Sequence, residues 1–226
     1  IGTAQQSIGN TLNISNSYAS GSVRGTNQIG GLIGYNQGNV INTYSSGIVS
    51  GTSQTGGLTA YNSGSITSSF WNTETSGQTT SAGGIGKTTN EMNYIGTFRD
   101  ITNGWNIVID STLIDDSPIL SNLDGSRIWK ISPYTYNLPS KTVTYGEGYT
   151  YTNNDIFGWD LPVNYGSDFN IYHNNNLFHT DSTTNDVDVY DISIKFIDAK
   201  SFDFRASTQS TFTVTPKKIT AITGIT

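Results

Sequence analysis

Cysteine is absent from this 226-residue chain, which excludes disulfides, thiolate metal sites and cysteine nucleophiles together. Histidine occurs twice, at His173 and His179, and a zinc-type site would need a third ligand at a suitable spacing, so exposed loop histidines are the favoured reading. Charge is scarce: charged residues make up 12% of the chain and sum to a formal −6. That leaves no basic face for a phosphate backbone, and nucleic acid is not an expected partner. No apolar run approaches the roughly 20 residues needed to cross a bilayer, so membrane insertion is not expected. No charged-then-apolar export segment opens the chain, and no GxSxG, Walker or HExxH motif occurs.

Aromatic residues are plentiful, with 4 Trp, 13 Tyr and 9 Phe spread along the chain. Disorder from low hydrophobicity normally comes with strong charge and few aromatics, so this composition reads as folded, β-rich and polar-surfaced. The main pattern is a repeat of 26 residues. It relates Ile14, Val40 and Ile66; Tyr18, Tyr44 and Phe70; Gly25, Gly51 and Gly77; and Gly31, Gly57 and Gly83, while Asn36 and Asn62 keep the same spacing. A period in this range means one supersecondary unit stacked on copies of itself, because a single copy cannot bury its apolar face.

Each copy holds short β-prone runs broken by Gly and Asn, too brief for helices. The reading is all-β: a parallel β-solenoid with 26-residue coils, whose equivalent residues stack in columns about 4.8 Å apart. Expected interior columns are Ile14/Val40/Ile66, Tyr18/Tyr44/Phe70, Val23/Val49 and Leu32/Leu58. Asn36/Asn62 is expected as an amide ladder at a left-handed corner. After Asp124-Gly125 the period is gone, and KTVTYGEGYTYT, VYDISIKFID and STFTVTP alternate like strands of a small antiparallel sandwich.

GGLIGYN (30–36) and GGLTAYN (56–62) resemble the GLUG repeat, and SSFWNTETSGQTTSAGGIGKTTNEM (68–92) resembles its terminal version. The order TVTYGEGYTY, VYDISIKF, FTVTPKKIT resembles the MBG type of bacterial Ig-like domain. The implied organisation is a solenoid over 1–124 with a closing coil at about 94–124, a connection at 125–138, an MBG/Ig-like β-sandwich at 139–217, and a link at 218–226 to a following module. Phe98, Trp105, Ile107, Ile109, Ile119 and Leu120 are the expected cap over the open solenoid end. The chain starts inside a repeat pattern, so flanking modules of a longer protein are expected.

The resemblance implies large exported bacterial proteins, especially filamentous-haemagglutinin-like adhesins of two-partner secretion, and some wall-anchored surface proteins. The expected role is a non-catalytic segment of a secreted, cell-surface adhesin that spaces or attaches, with host-cell or matrix glycans or exopolysaccharide as partners. An alternative is a carbohydrate-binding or cell-wall-attachment accessory region of a surface-anchored glycan-processing enzyme or protease. Trp71, Trp105 and Trp159 are candidate glycan-stacking residues, set against the commoner role of Trp as core.

Calcium is the one cofactor considered. Asp110, Asp115 and Asp116 near the cap, and Asp181, Asp186, Asp188 and Asp191 in the second module, offer oxygens to a Ca²⁺ that takes roughly six to eight. Neither group has the Asp-x-Asp-x-Asp-Gly loop form, and solvated turn residues are the plainer account. Catalysis would need two carboxyls across a cleft, and Glu74 with Glu91 is the nearest pair to weigh for a polysaccharide-degrading solenoid.

Overall fold

A computed structural model describes residues 2–4, 12–99, 104–114, 117–123, 126–158, 169–180, 185–196, 204–206 and 209–217. The chain divides into two compact units, 1–133 and 134–226.

The first unit contains a β-solenoid of about four turns with parallel stacked strands. Strand Asn13–Ala19 lies on Asn39–Ser45, Val23–Arg24 on Val49–Ser50, Asn27–Gly30 on Ser53–Gly56, and Ile33–Asn36 on Thr59–Asn62, all in parallel. Each pairing joins residues one repeat apart: Ile14 with Val40, Val23 with Val49, Asn36 with Asn62. The third copy continues the register, Ile66 on Val40 and Phe70 on Tyr44.

Inside the coil, Leu32, Ile33, Val40, Leu58 and Trp71 form a buried core, with Ile14, Ala19 and Ile66 packed against it. Polar columns complete the interior. Thr43 and Ser69, both buried, share a hydroxyl hydrogen bond of 3.0 Å, and Ser45 Oγ donates to the Gly57 carbonyl at 2.7 Å. Buried groups of this kind are tolerated because each has a partner.

The Tyr18/Tyr44/Phe70 column is in register, but it does not face the interior as expected. Val40 belongs to the solenoid core, whereas Tyr44 and Phe70 belong to a second core outside the coil. An uninterrupted strand would put residues four apart on one face. The interruption is at Asn16, Asn42 and Ser68, whose φ values of 45°, 52° and 46° lie in the left-handed region. A left-handed residue at this position reverses the alternation, turning Thr43 and Ser45 inward and Tyr44 outward. Among the described non-glycine residues of the first unit the left-handed positions are these three, with Gln28 and Gln54, and not Asn36 and Asn62.

Register also fails at the end of the third copy. Ala82 N–H donates to the Thr59 carbonyl, 23 positions away, and Ser81 Oγ accepts from the Leu58 and Thr59 amides. Strand Ile85–Lys87 then pairs with Phe70–Asn72, only 15 residues on. Gly83 accordingly faces Ile66, while Gly57 faces the Trp71 ring, and Gly77 alone of its column takes a left-handed φ of 67°.

The segment expected as an end cap instead covers the side of the coil and runs further. Met92, Ile95, Phe98, Trp105, Ile107, Trp129 and Ile131 pack with Tyr44 and Phe70. Strands Ile107–Ile109, Ser126–Ile131 and Ile119–Leu123 make a sheet in that order, parallel then antiparallel. Residues 126–131, read as connection, thus form the central strand, because RIWKI alternates and buries Trp129 and Ile131.

The second unit holds a five-stranded sheet in the order Lys141–Thr144, Ser210–Thr215, Val189–Phe196, Phe169–His173, Asn176–Leu177. The first pair is parallel and the others antiparallel. Phe212, Val214, Ile192, Ile194, Ile171 and Val143 are buried apolar residues of its strands, and helix Asn153–Phe157 adds Ile156 and Phe157. Among the described residues this sheet has a two-stranded parallel companion, Tyr134–Tyr136 with Phe204–Ala206, in place of the expected broad facing sheet. The link at 218–226 lies outside the described residues.

A Cβ on Gly57 would overlap the buried Trp71 ring, whereas one on Gly21 meets nothing within 4 Å. Gly57→Ala is expected to lower unfolding free energy by about 1–3 kcal/mol through overpacking. Gly21→Ala should stay within about 0.5 kcal/mol of the parent in the same denaturant titration, and equal effects at both sites would refute the assigned packing.

Candidate functional site

The outward aromatic column and the sheet laid over it generate the most distinctive surface feature of the first unit. Tyr18 stacks on Tyr44 with ring centroids 5.2 Å apart and planes 13° apart, and Trp129 meets Tyr18 edge-on at 5.8 Å. Offset stacking and edge-to-face contacts are the favoured aromatic geometries. The left-handed corners anchor the covering layer: Trp129 Nε1 donates to Asn16 Oδ1 at 3.2 Å, and Trp105 Nε1 to the Ser68 carbonyl at 3.0 Å. Tyr44 OH donates to the Pro118 carbonyl at 2.7 Å.

Where the layer ends, a groove of about 420 Å³ opens between residues 16–18 and residues 120–122 with Arg127. Its size falls within the range of small-molecule sites. Tyr18 remains 42% exposed there. Sequence reasoning missed this groove, because its two walls are about a hundred residues apart in the chain. In the second unit a groove of about 460 Å³ is lined by Gly148, Tyr149, Thr150, His179 and Thr180. Tyr149 OH donates to Asp155 Oδ1 at 2.7 Å, and Lys141 Nζ lies 4.2 Å from the Tyr149 ring centroid.

The expected amide ladder is present, Asn36 Nδ2 donating to Asn62 Oδ1 at 2.8 Å. Each Asn oxygen also accepts a backbone N–H two residues on, from Gly38 and Gly64. The stacking tryptophans are placed differently from expectation. Trp71 is 4% exposed inside the coil and Trp105 is 5% exposed in the lateral core, so neither offers a face to a glycan, and Trp159 lies outside the described residues. Their size filled core where the coil and its covering layer had room for it.

Asp181, Asp115 and Asp116 lie outside the described residues. Asp186 contributes its carbonyl to the Tyr190 hydroxyl, and Asp188 Oδ1 accepts from the following amide at 2.7 Å. Among the described residues no three His, Asp or Glu side chains gather as a metal ligand set. His173 Nδ1 donates to the Asp191 carbonyl at 2.8 Å.

Glu74 and Glu91 both serve the start of helix Thr89–Met92. Glu74 Oε2 accepts from Thr89 N–H at 2.9 Å, and Glu91 closes a capping box with Thr88 and pairs with Lys87 at 2.7 Å. Hydrogen bonds from Thr89 hold Glu74 below the usual carboxylate range. Partial burial raises Glu91, yet its bonds to Lys87 and Thr88 outweigh this and leave it lowered too. A glycosidase acid needs the opposite shift.

Asp110 is held down to about 2, first by the Thr112 hydroxyl and then by Lys130, whose Nζ is 2.9 Å away. A depressed carboxylate contributes stability above its unfolded value and loses it as pH falls through the folded one. The expected outcome is a carboxyl NMR midpoint near 2 that climbs towards 3.8 in a Thr112→Val, Lys130→Met variant. Acid destabilisation between those values should be smaller in Asp110→Asn, and an ordinary midpoint in the parent protein would disprove the contact.

Comparison with protein-family models, with curated proteins and with solved structures finds no match to this chain.

Proposed function

We propose that this chain is a non-catalytic segment of a secreted bacterial cell-surface adhesin, in which the solenoid is a stiff spacer and the surface beside it an attachment site for host, matrix or exopolymer glycans. The observation that carries the reading is the one-repeat register of successive coils, residues of Asn13–Ala19 upon those of Asn39–Ser45 and Phe70 upon Tyr44. Parallel ladders of this kind resist extension along the stack, since each coil must release its whole set of inter-coil hydrogen bonds before it yields. The GLUG-like residues at 30–36 and 56–62 supply the positions that make the register possible: Gly31 and Gly57 where backbone and ring approach, Asn36 and Asn62 where amides chain together.

The MBG-like assignment of the second unit belongs to the same proposal. It is supported by the five-stranded sheet whose first and last strands pair in parallel at one edge. The accessory-region reading, glycan binding alongside a surface-anchored enzyme or protease, is favoured by the Tyr18 groove, which offers an aromatic face together with amides and hydroxyls.

Two measurements test the proposal. Antibodies to this chain should label intact source cells without permeabilisation, and label confined to lysed cells would reject the surface role. In single-molecule pulling, each 26-residue coil should release in a step of about 90 Å, from roughly 3.6 Å per extended residue. Smooth extension at low force, without steps, would reject the spacer.

A further inference from the structure

A coil edge that carries unpaired backbone groups is a template for another strand. Strands Val49–Ser50, Ser53–Gly56 and Thr59–Asn62 each pair with the coil before them and, among the described residues, with no strand after them. The next layer of chain, residues 73–83, contains no strand, yet it meets this edge group by group. Val49 N–H donates to the Ser76 carbonyl at 3.0 Å, and the Val49 carbonyl accepts from Gln78 Nε2 at 2.9 Å. Gly57 N–H donates to the Thr80 carbonyl at 3.0 Å, and Thr75 Oγ1 donates to the Ser46 carbonyl at 2.7 Å.

Ser81 shows how the edge is ended. One coil earlier, the Leu58 carbonyl accepts from the amides of Leu32 and Ile33 at 2.9 and 3.1 Å. One coil on, Ser81 Oγ takes that place and accepts from the amides of Leu58 and Thr59 at 3.1 and 3.0 Å. Its own proton points to nearby carbonyls, Gly83 at 2.7 Å and Thr59 at 3.1 Å. A strand that satisfies one neighbour presents a second row of N–H and C=O groups to the next, and so passes the ladder on. A hydroxyl or a side-chain amide satisfies the edge and presents no such row. Gly77, with a left-handed φ of 67°, also breaks the extended backbone that a further strand would need, and the outward residues of this layer are polar, Glu74, Thr79 and Thr80 among them.

The occupant that best fits the edge, were it bare, is a strand of the same sequence. The columns that end there are built for it: Asn27–Gly30 already lies on Ser53–Gly56, and Ile33–Asn36 on Thr59–Asn62. We propose that residues 73–83 are an end plug, which keeps a second copy of this chain from adding a strand to the edge formed by residues 49–62. Coil number within the chain, and not end-to-end growth at this edge, then sets the length of the rod. The inference rests on the coil register and is independent of the glycan reading.

The test compares the full chain with a Thr75→Val, Gln78→Met, Ser81→Ala variant by sedimentation equilibrium, with amide hydrogen exchange followed at low and high protein concentration. Self-association of the variant is expected to be about tenfold or more tighter than that of the parent, the scale of a lost hydrogen bond. The amides of Val49, Leu58 and Thr59 should exchange faster than in the parent when dilute and regain protection as concentration rises. Adding Ser53→Lys, at an exposed position of the edge strand, should reverse the association, because charge on a strand edge opposes pairing. Self-association equal to the parent's overturns the proposal, and so does association that leaves those amides unprotected. The near-UV signal of the buried Trp71 reports that the coil is still folded. If the triple variant loses it, Gln78→Ala alone, which removes one bond from a half-buried side chain, carries the same test with the same outcomes. Surface labelling and pulling steps are read on the parent chain, so failure of the plug and failure of the spacer are separately visible.

Discussion

Backbone hydrogen bonds between successive coils hold equivalent residues one above another, and the interior of residues 12–72 is built on that offset. Once Asn39–Ser45 is fixed on Asn13–Ala19, many side chains meet a chemically similar neighbour one repeat away, Asn13 on Asn39, Ile14 on Val40 and Tyr18 on Tyr44 among them. An amide can then satisfy an amide, as Asn36 does Asn62, and a hydroxyl a hydroxyl, as Thr43 does Ser69. The interior needs few large apolar residues as a result, which is how a chain with 34% hydrophobic residues sustains a core. The column Ala19, Ser45, Trp71 shows the other side of the constraint. Its members are free to differ only where space opens, and the indole occupies the third coil, opposite Gly57.

A second consequence concerns the left-handed residues. Asn16, Asn42 and Ser68 place a reversed residue at equivalent positions of three coils, and the reversal throws a column of aromatics onto the outside of the solenoid. An exposed column of that kind would be an aggregation hazard. The chain resolves it by packing Met92, Ile95, Phe98, Trp105, Ile107, Trp129 and Ile131 over the column, with the indoles of Trp105 and Trp129 reaching the reversed residues themselves. The lateral layer and the solenoid therefore keep two cores that meet along the strands carrying Tyr44 and Phe70, and the Tyr18 groove lies at the edge of the layer.

Much of this was legible from residue spacing. The period identified the solenoid, the pairs Ile14/Val40, Leu32/Leu58 and Asn36/Asn62, and the change of organisation in the second half. Three features were not. The alternation rule assigned Tyr44 to the interior because nothing in Asn42 announces a reversed dihedral; Asn is tolerant of it, as it is of many other backbones. The third copy kept its spacing at Ile66 and Phe70 but lost it after Asn72, where Ser81 substitutes a side chain for a backbone partner. Asp124-Gly125 read as a boundary, although two alternating runs flanking Asp-Gly also signal a hairpin, and Leu123 does pair with Ser126 across it.

The candidate site divides along the same line. Sequence by itself determined that coils stack, which residues share a column, and that large aromatics must be buried somewhere, because a repeated spacing constrains only relations between copies. Tertiary structure alone decided which tryptophans were core, that Glu74 and Glu91 cap one helix, and that Tyr18 and Arg127 border one groove. Those outcomes depend on how segments with no shared period pack against the column, and contacts between residues a hundred positions apart leave no mark in local spacing.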